Sequence, residues 1–343
     1  MQSGTSQHRI LDADLDKVVQ AESRIAELPL AIQRFVEESG NPRATSALIE
    51  IVDQVLKRYH EAGGARLPIS VRGLCKIVGV KLKGTLPSPR SIAKYPGGWG
   101  RASLGHTGIL RIEDSRPVIE IPSHIDYEVA RLSVAHEIGH LLIHRRGEEL
   151  DQATIRMPAD SFEEALAEFA ARLFLLPQSM WHESQVSTNL AEYAITQSRA
   201  ARVTVHSAVA RLGDPDLSRT DVQGAILWRE LPGSSALSPI NERMTPCWHM
   251  CPNAFVPIGR SKARPGSLVA KLAGQSGSLC DTRIEDVRIG TFVGVFRIDA
   301  FAWGSLDKGS RGVLTVFRSP IQNGPEEFEI LHAATEQQGF SFP

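Results

Sequence analysis

The residues with the clearest chemical potential are His136, Glu137 and His140, which form the motif His-Glu-x-x-His. Residues four apart on a helix lie one turn apart on the same face, so the two imidazoles can point at one metal ion. Glu137 is rotated away from both histidines but can reach a water on that metal. Zinc lowers the pKa of such a water to about 7, and a carboxylate can then take its proton during attack on a carbonyl. The motif therefore predicts a hydrolytic zinc site.

The sequence on both sides of the motif predicts a helix that carries it. Apolar residues recur there at three- and four-residue steps, namely Val129, Leu132, Ala135, Ile138 and Leu142. This periodicity is typical of a single buried stripe along a helix, with the two histidines beside the stripe. We expect a helix half in the core with a recessed metal site at its edge. The alternative is a pair of surface histidines on an ordinary helix.

A catalytic zinc ion usually takes three protein ligands and keeps a fourth position for water. The longer motif His-Glu-x-x-His-x-x-Gly-x-x-His would supply a third histidine. In this chain Ile143 stands at the glycine position and Arg146 at the histidine position. A third histidine from this motif is therefore excluded, and a carboxylate from another helix is the other common solution.

The next helix predicted by the sequence, residues 162–176, offers such carboxylates. Glu164 and Glu168 are four apart and share a face with small alanine residues, which favours the wall of a site. A solvated acidic face has the same spacing and is the alternative. Helical geometry makes Glu163 the least suited to bind the metal. His144, one turn beyond the motif, is expected to cap its helix, with a place behind the metal ligands as the alternative.

Two segments, ARLSVAHEIGHLLIH and EALAEFAARLFLLP, together resemble the ImmA/IrrE family of metallo-endopeptidases. The resemblance covers roughly residues 65–215. In that family the motif helix is followed by a helix of the form E-A-x-x-x-x-F/A-A-x-x-L-L-M/L-P, and its first Glu is the third zinc ligand. Counting back from Pro177 makes Glu164 that ligand. Leu166 stands where the family often has a second acidic residue. Glu168 falls where it often has Asn or Asp, so it is expected behind the ligands and is the fallback ligand.

The resemblance implies a zinc-dependent endopeptidase in which His136, His140 and Glu164 hold the metal and Glu137 moves the proton. It also implies a protein substrate, commonly a helix-turn-helix repressor of the Xre type, cleaved under stress or during induction of a mobile element. Mn²⁺ or Fe²⁺ are alternatives to Zn²⁺, because affinity alone does not fix the metal in the cell. No residue is assigned to an organic cofactor. The rival interpretation is a metal-containing transcriptional regulator or sensor that binds DNA or a ligand without proteolysis.

Two further segments bear on how a partner would bind. Residues 108–112 and 117–122 are β-rich, and 117–121 are the predicted edge strand that pairs with an extended substrate. An ordinary hairpin without a substrate role is the alternative. Residues 188–215 resemble the helical pair that follows the peptidase core in the family. Read as a helix-turn-helix, this pair offers DNA only Arg202, His206 and Arg211, so direct DNA binding is not favoured.

The predicted fold class is α+β: a helical zincin-like metallopeptidase core with a small β-sheet, then a helical pair and a mixed or β-rich C-terminal domain. Strand-like runs in that last domain are separated by Gly, Pro and Ser, and they lie at 225–229, 253–258, 267–273, 291–298 and 312–317. Three-domain members of the family carry a GAF-like sensor module, which makes the last domain a candidate for one. The predicted domains are 1–64 (N-terminal helical segment), 65–187 (metallopeptidase core), 188–215 (helical pair) and 225–343 (C-terminal domain).

The overall composition limits the classes of protein and partner. A chain of 343 residues with 42% apolar residues is long enough for two or three domains with real cores. A formal net charge of −1 provides no electrostatic footprint for nucleic acid. Apolar runs stay shorter than the roughly 18 residues of a membrane-spanning helix, and the N-terminal residues differ from a signal peptide. We therefore expect a cytoplasmic protein without membrane association.

The four cysteines are too few for a disulfide framework. Cys247 and Cys251 flank Trp248-His249-Met250, and Cys280 follows further along the chain. The Cys-x-x-x-Cys spacing could start a second metal site, but a matching second pair of ligands is missing from the sequence. We favour buried or adventitious thiols without a metal.

Overall fold

The computed structural model describes most residues of the chain. They are 29–87, 108–114, 116–122, 125–146, 149–150, 161–181, 189–214, 217, 222–230, 238–251, 256–304 and 311–319. Two compact units are present, Met1–Thr220 and Asp221–Pro343. The first half of the predicted N-terminal helical segment lies outside the described residues. The finer domain boundaries and the GAF-like character of the last domain stay predictions.

Helices dominate the first unit. Helix ends follow local chemistry: Ser70 and Asn189 each accept a hydrogen bond from the backbone N–H three residues on, and Gly79 ends a helix in the left-handed conformation at φ 74°. The helices are α1 (Leu30–Ser39), α2 (Ala44–Glu61), α3 (Val71–Val78), α4 (Tyr127–His144), α5 (Ser161–Leu175), α6 (Leu190–Ala201) and α7 (Val205–Leu212). A short 3-10 turn, Gln178–Met180, follows α5.

A small three-stranded sheet lies between α3 and α4 in the chain. Its strands are β1 (Lys81–Lys83), β2 (Ile109–Glu113) and β3 (Arg116–Glu120), in the order β1-β3-β2. β3 pairs in parallel with β1 and antiparallel with β2, so both of its edges are occupied. The prediction that residues 117–121 form a substrate-binding edge strand is therefore wrong. The alternation of apolar residues marked these residues as a strand, but strand order depends on contacts between segments far apart in sequence.

Helix α4 is buried on every side rather than along one stripe. From Ala130 to His144 every residue is buried except Leu132, and Val129 is also only half-buried. The predicted stripe is thus wrong at two of its five positions. A helix that is apolar on all faces must be surrounded by other elements. The histidines and glutamate of the motif therefore lie inside the unit, where their protonation is sensitive to neighbouring charges.

The second unit is a five-stranded antiparallel sheet with helices on one face. The strands are β6 (Val222–Glu230), β7 (Met244–Met250), β8 (Leu279–Ile289), β9 (Phe292–Trp303) and β10 (Gly312–Arg318), in the order β7-β6-β10-β9-β8. In the described part of this unit, two short helices, α8 (Ile240–Arg243) and α9 (Leu268–Ala273), accompany the sheet. Leu268, Val269 and Leu272 of α9 pack in one core with apolar side chains of the sheet.

Several strand predictions in this unit need correction. Residues 267–273 form α9 because Ser267 caps a helix by accepting a hydrogen bond from the Ala270 N–H. Residues 253–258 contribute no strand in their described part. β7 and β8 were not predicted: β8 is a charged, largely exposed strand at the edge of the sheet, so it lacks an apolar signal.

The predicted fold class is confirmed: the described residues form a mixed α+β protein with a helical core, a small sheet and a β-rich C-terminal part.

A strand pair, β4 (Arg145–Arg146) and β5 (Glu149–Leu150), follows α4. Among the helices described here, none has the length and apolar character needed to cross a membrane.

Candidate metal centre

Helices α4 and α5 pack closely, and Gly139 of the motif allows this. A Cβ at this position would come within 2.9 Å of the Cα and carbonyl oxygen of Ala167 and within 3.0 Å of the Cβ of Ala170. The small residues on both helices therefore let the two backbones approach. As a result, the acidic residues of α5 reach the histidines of α4.

Replacing Gly139 by Ala is expected to destabilise the protein. The new methyl group meets backbone atoms of α5, and such overpacking typically costs about 1–3 kcal/mol, against roughly 1 kcal/mol gained in helix propensity. Chemical denaturation should show a lower free energy of unfolding, and metal affinity should fall because the helices separate. Gly274→Ala is the matched control, since its Cβ would meet neighbours no closer than 3.5 Å. Equal stability of both variants would contradict the proposed close packing.

The three predicted ligand residues, His136, His140 and Glu164, come together in the structure. His136 Nε2 lies 2.9 Å from His140 Nε2 and 3.2 Å from Glu164 Oε2, and His140 Nε2 lies 3.6 Å from Glu164 Oε1. Zinc–nitrogen bonds of about 2.0–2.1 Å place neighbouring ligands of a tetrahedron about 3.3 Å apart. These separations bracket that value, and one ligand atom of each residue lies within 4.8 Å of the other two, so the group can hold one metal ion. The side chains of the two histidines are at most 10% exposed and that of Glu164 is 34% exposed, so the group is open to solvent on the Glu164 side.

The carboxylates around His136 stabilise positive charge at this place. Burial by itself would lower the pKa of His136, but the neighbouring carboxylates of Glu164 and Glu168 raise it to about 9. In the metal-free protein this raised pKa stabilises the fold. The contribution is complete below about pH 6.5, the ordinary pKa of His, and is lost as the pH rises through about 9.

Metal affinity is expected to rise with pH up to about 9, since a metal ion must displace the proton held by His136. One displaced proton changes the apparent affinity by about tenfold per pH unit below that value. Competition with a chelator between pH 6 and 9 measures this slope. Calorimetry in buffers of different ionisation enthalpy counts the protons released. A flat profile across this range would contradict displacement of a proton from His136.

Glu137 is held next to the small sheet. Its Oε2 accepts a hydrogen bond from the Leu110 N–H of β2 at 3.0 Å. A Cβ at Gly108 would come within 3.0 Å of Glu137 Cγ, so the chain entering β2 lies directly against this side chain. Burial raises the pKa of the Glu137 carboxyl, and the charges of His136 and His140 oppose this only in part. A carboxylate with a raised pKa is the better proton acceptor near neutral pH.

Glu163 is not part of the group formed by His136, His140 and Glu164. It lies behind His140, next to the Nδ1 atom. Its Oε1 accepts hydrogen bonds from His140 Nδ1 at 2.7 Å and from His144 Nε2 at 2.8 Å. Burial acts to raise the pKa of Glu163, but the two hydrogen bonds outweigh it and hold the pKa at about 2. The expectation that His144 caps its helix is wrong, because its Nε2 donates to this buried carboxylate. The sequence signal that could have indicated this contact was His144 itself, which follows His136 and His140 at the same four-residue spacing.

Glu168, the fallback ligand, lies on the other side of the group. Its Oε2 is 3.7 Å from His136 Nδ1, the nitrogen that faces away from His140. Its Oε1 accepts from Arg172 NH1 at 3.5 Å, and Arg172 in turn forms a buried ion pair with Asp214 at 2.7 Å. The geometry therefore places Glu164 beside the histidine Nε2 atoms and Glu168 behind them. The contribution of Arg172 and Asp214 was not predicted, because these residues are 42 positions apart.

Among the remaining cysteine and DNA-contact candidates, Cys251 and Arg211 are buried, whereas Cys247, Arg202 and His206 are half-buried. Burial raises the pKa of the Cys247 and Cys251 thiols to about 12, and neither belongs to a potential metal-binding group among the described residues. Cys280 is exposed. Arg211 is fully buried; it pairs with Asp214 and donates to the Leu176 carbonyl oxygen. Arg211 is thus not accessible to DNA.

Comparisons with known proteins point to the same part of the chain. The family model described as IrrE N-terminal-like domain (Peptidase_M78) matches residues 101–212. Curated protein sequences contain no match to this chain. One similar solved structure is described as "Mycobacterium tuberculosis transcriptional regulator"; it has 12% identity and a TM-score of 0.34, covering 91% of this chain and 98% of that chain.

The family match is shorter than the resemblance seen in the sequence, which extended over roughly residues 65–215. It contains both helices of the metal-binding group and supports a metallopeptidase-like protein, with a His/Glu group that can bind a metal ion. Residues 101–212 are therefore assigned to the ImmA/IrrE family as an IrrE N-terminal-like domain.

Proposed function

We propose that this protein is a zinc-dependent endopeptidase with a regulatory role. The observation that supports it is the group of His136, His140 and Glu164, whose ligand atoms lie within 4.8 Å of one another, with the buried carboxylate of Glu137 directly after His136 on the same helix. A site with two histidines and one carboxylate leaves a fourth position for water, as in hydrolytic zinc centres.

Each side chain has a definite task in this proposal. His136, His140 and Glu164 would hold the ion, which would supply Lewis acidity for activating water and for polarising the scissile carbonyl. Glu137 accepts the proton of the attacking water on its carboxylate and later donates it to the leaving amine. The Leu110 N–H holds the Glu137 carboxylate in place at 3.0 Å. Burial raises the pKa of Glu137, which favours its role as the proton acceptor.

We further propose that the substrate is an extended peptide that pairs along β2. β2 is the outer strand of the three-stranded sheet, with β3 on its inner side. Ile112 lies opposite Pro117, which lacks an N–H, so the main-chain groups of Leu110 and Ile112 point away from β3. The Leu110 N–H is bound to Glu137, so the Leu110 carbonyl oxygen and the Ile112 N–H and carbonyl oxygen would pair with the peptide. The bond from Leu110 to Glu137 shows that this outer edge faces the proposed proton acceptor. An extended chain bound there would pass beside the metal group.

The physiological substrate is proposed to be a helix-turn-helix repressor of the Xre type, cleaved under stress or during induction of a mobile element in the cytoplasm. This part of the proposal is supported by the resemblance to ImmA/IrrE peptidases. Burial of Arg211 disfavours the rival interpretation, in which the helical pair α6–α7 binds DNA directly.

The test of the proposed activity uses a proteome-derived peptide library. The protein loaded with zinc is incubated with the library, and new peptide termini are identified by mass spectrometry. Cleavage should disappear with EDTA and return with added Zn²⁺, Mn²⁺ or Fe²⁺, which ranks the metals. A metal-loaded protein that generates no chelator-sensitive termini from the library would contradict endopeptidase activity.

A further inference from the structure

The three histidines of α4 form a row, and one carboxylate joins two of them. His136, His140 and His144 are spaced by four residues, which places them on one face of the helix. Glu163 approaches this face from α5 and contacts the outer nitrogen of His140 and the Nε2 of His144 with the same oxygen atom. The side chains of Glu163 and His140 are 10% exposed and that of His144 is 5% exposed, so water has little access to these bonds.

The two short bonds define the tautomers of the histidines. An ionised carboxylate oxygen only accepts hydrogen bonds, so His140 must carry its proton on Nδ1 and His144 must carry one on Nε2. With Nδ1 protonated, the lone pair of neutral His140 lies on Nε2. That is the nitrogen 3.6 Å from Glu164 Oε1 and 2.9 Å from His136 Nε2.

We propose that Glu163 is a positioning residue, which holds the His140 ring so that the Nε2 lone pair faces His136 and Glu164. His144 has the supporting task of keeping the Glu163 oxygen turned towards His140. The proposal rests on the proposed function in that His140 must be a metal ligand. The positioning role goes beyond the proposed function, because it assigns the orientation of His140 to Glu163, a residue that does not touch the metal.

The physical advantage lies in preorganisation. A free imidazole presents either tautomer and rotates about two side-chain bonds, and both freedoms must be lost on metal binding. A carboxylate on the outer nitrogen of a ligating histidine removes them beforehand, and its loss typically lowers metal affinity by about 10–100-fold. The contact between Glu163 and His140 is 2.7 Å, whereas Glu168 is 3.7 Å from the outer nitrogen of His136. Glu163 should therefore contribute more to metal affinity than Glu168.

The same atoms also have the composition of a second metal group, since His140, His144 and Glu163 lie close together. Contacts of 2.7 Å and 2.8 Å to one shared oxygen are hydrogen-bond distances. A tetrahedral ion at this place would require separate ligand atoms about 3.3 Å apart. Hydrogen bonding explains the geometry better than a second ion, and the metal content distinguishes the two explanations.

The first experiment records the tautomers directly in the metal-free protein. Nitrogen-15 NMR of the histidine-labelled full chain should show His140 as the Nδ1–H tautomer, with His140→Gln used for assignment. In Glu163→Ala this signal should shift towards the mixed tautomers of a free imidazole. In Glu163→Gln the amide oxygen can still accept, so the Nδ1–H tautomer should be kept. An Nε2–H tautomer of His140 in the unsubstituted protein would overturn the proposal.

The second experiment measures zinc affinity by competition with a chelator. Glu163→Ala should bind zinc about 10–100-fold more weakly, Glu163→Gln should recover part of this loss, and His144→Leu should show an intermediate loss. Glu230→Ala is the matched control, because Glu230 is likewise buried, pairs with Arg243 at 2.8 Å and lies in the second unit. Its zinc affinity should equal that of the unsubstituted protein, and thermal unfolding of each variant shows whether the fold is kept.

The outcomes separate this proposal from the proposed function. Zinc bound normally by the unsubstituted protein and equally by a folded Glu163→Ala would overturn the positioning role alone. Two metal ions per chain, falling to one in His144→Leu, would also overturn it in favour of a second ion. Failure of the unsubstituted protein to bind any metal would overturn both, whereas cleavage-inactive protein with a zinc affinity that depends on Glu163 would overturn only the peptidase activity.

Discussion

Replacing Glu137 by Gln is expected to lower peptide cleavage by about 10²–10⁴-fold, while metal content stays unchanged. The amide keeps the shape of the carboxylate and can still accept the hydrogen bond from the Leu110 N–H, but it cannot accept a proton. The loss would thus fall on the chemical step. Cleavage of a peptide identified from the library provides the rate, and elemental analysis provides the metal content.

The control for this experiment is Glu128→Gln, which removes a carboxylate from the first turn of the same helix. It should cleave at the rate of the unsubstituted protein. Undiminished cleavage by Glu137→Gln would remove this residue from the mechanism. Loss of both cleavage and metal would instead mean that Glu137 supports the metal group. The slower cleavage would then give no evidence for proton transfer by Glu137.

Metal content is expected to separate Glu164 from Glu168. The unsubstituted protein should hold about one metal ion per chain, and His140→Ala and Glu164→Ala should lose it, because each removes one of three protein ligands. Glu168→Ala should retain the ion, since its nearest contact to the group is the outer nitrogen of His136 at 3.7 Å. Elemental analysis after dialysis measures all four proteins and identifies the bound metal.

The result for His140→Ala is the most decisive of these. An ion that survives this substitution would lie elsewhere, and the segment of Cys247 and Cys251 would then be the next place to test. An ion lost with Glu168→Ala and kept with Glu164→Ala would exchange the roles of the two carboxylates. The thermal stability of each variant controls for loss of the fold, since Glu168 contacts the buried Arg172.

The sequence predicted those parts of the site that depend on neighbours along the chain. The spacing of His136 and His140 places them on one helical face, because helical geometry depends on residues only a few positions apart. The same local rule, together with the resemblance to a known family, selected Glu164 on the following helix. Local capping signals explain helices such as α6, where Asn189 accepts from the Glu192 N–H.

Contacts between distant segments were decided only by the tertiary structure. The hydrogen bond of Leu110 to Glu137 joins residues 27 positions apart, and the pair of Arg172 with Asp214 joins residues 42 positions apart. The close approach of α4 and α5 at Gly139 determines which carboxylate faces the histidines, and a helical pattern contains no distance to another helix. For the same reason the motif predicted a metal site but not the bonds of Glu163.

The order of the strands and the position of the sheet edges were likewise decided by the tertiary structure. Alternation of apolar residues identified β3 as a strand, but only its pairing with β1 and β2 made it the central strand. The edge strand β8 was not predicted, because its exposed face and its many charged residues leave no continuous apolar pattern in the sequence. Sequence therefore determined the chemical groups and their local spacing. The packing of elements far apart in the chain decided which groups meet, because burial and hydrogen bonding between them depend on the whole fold.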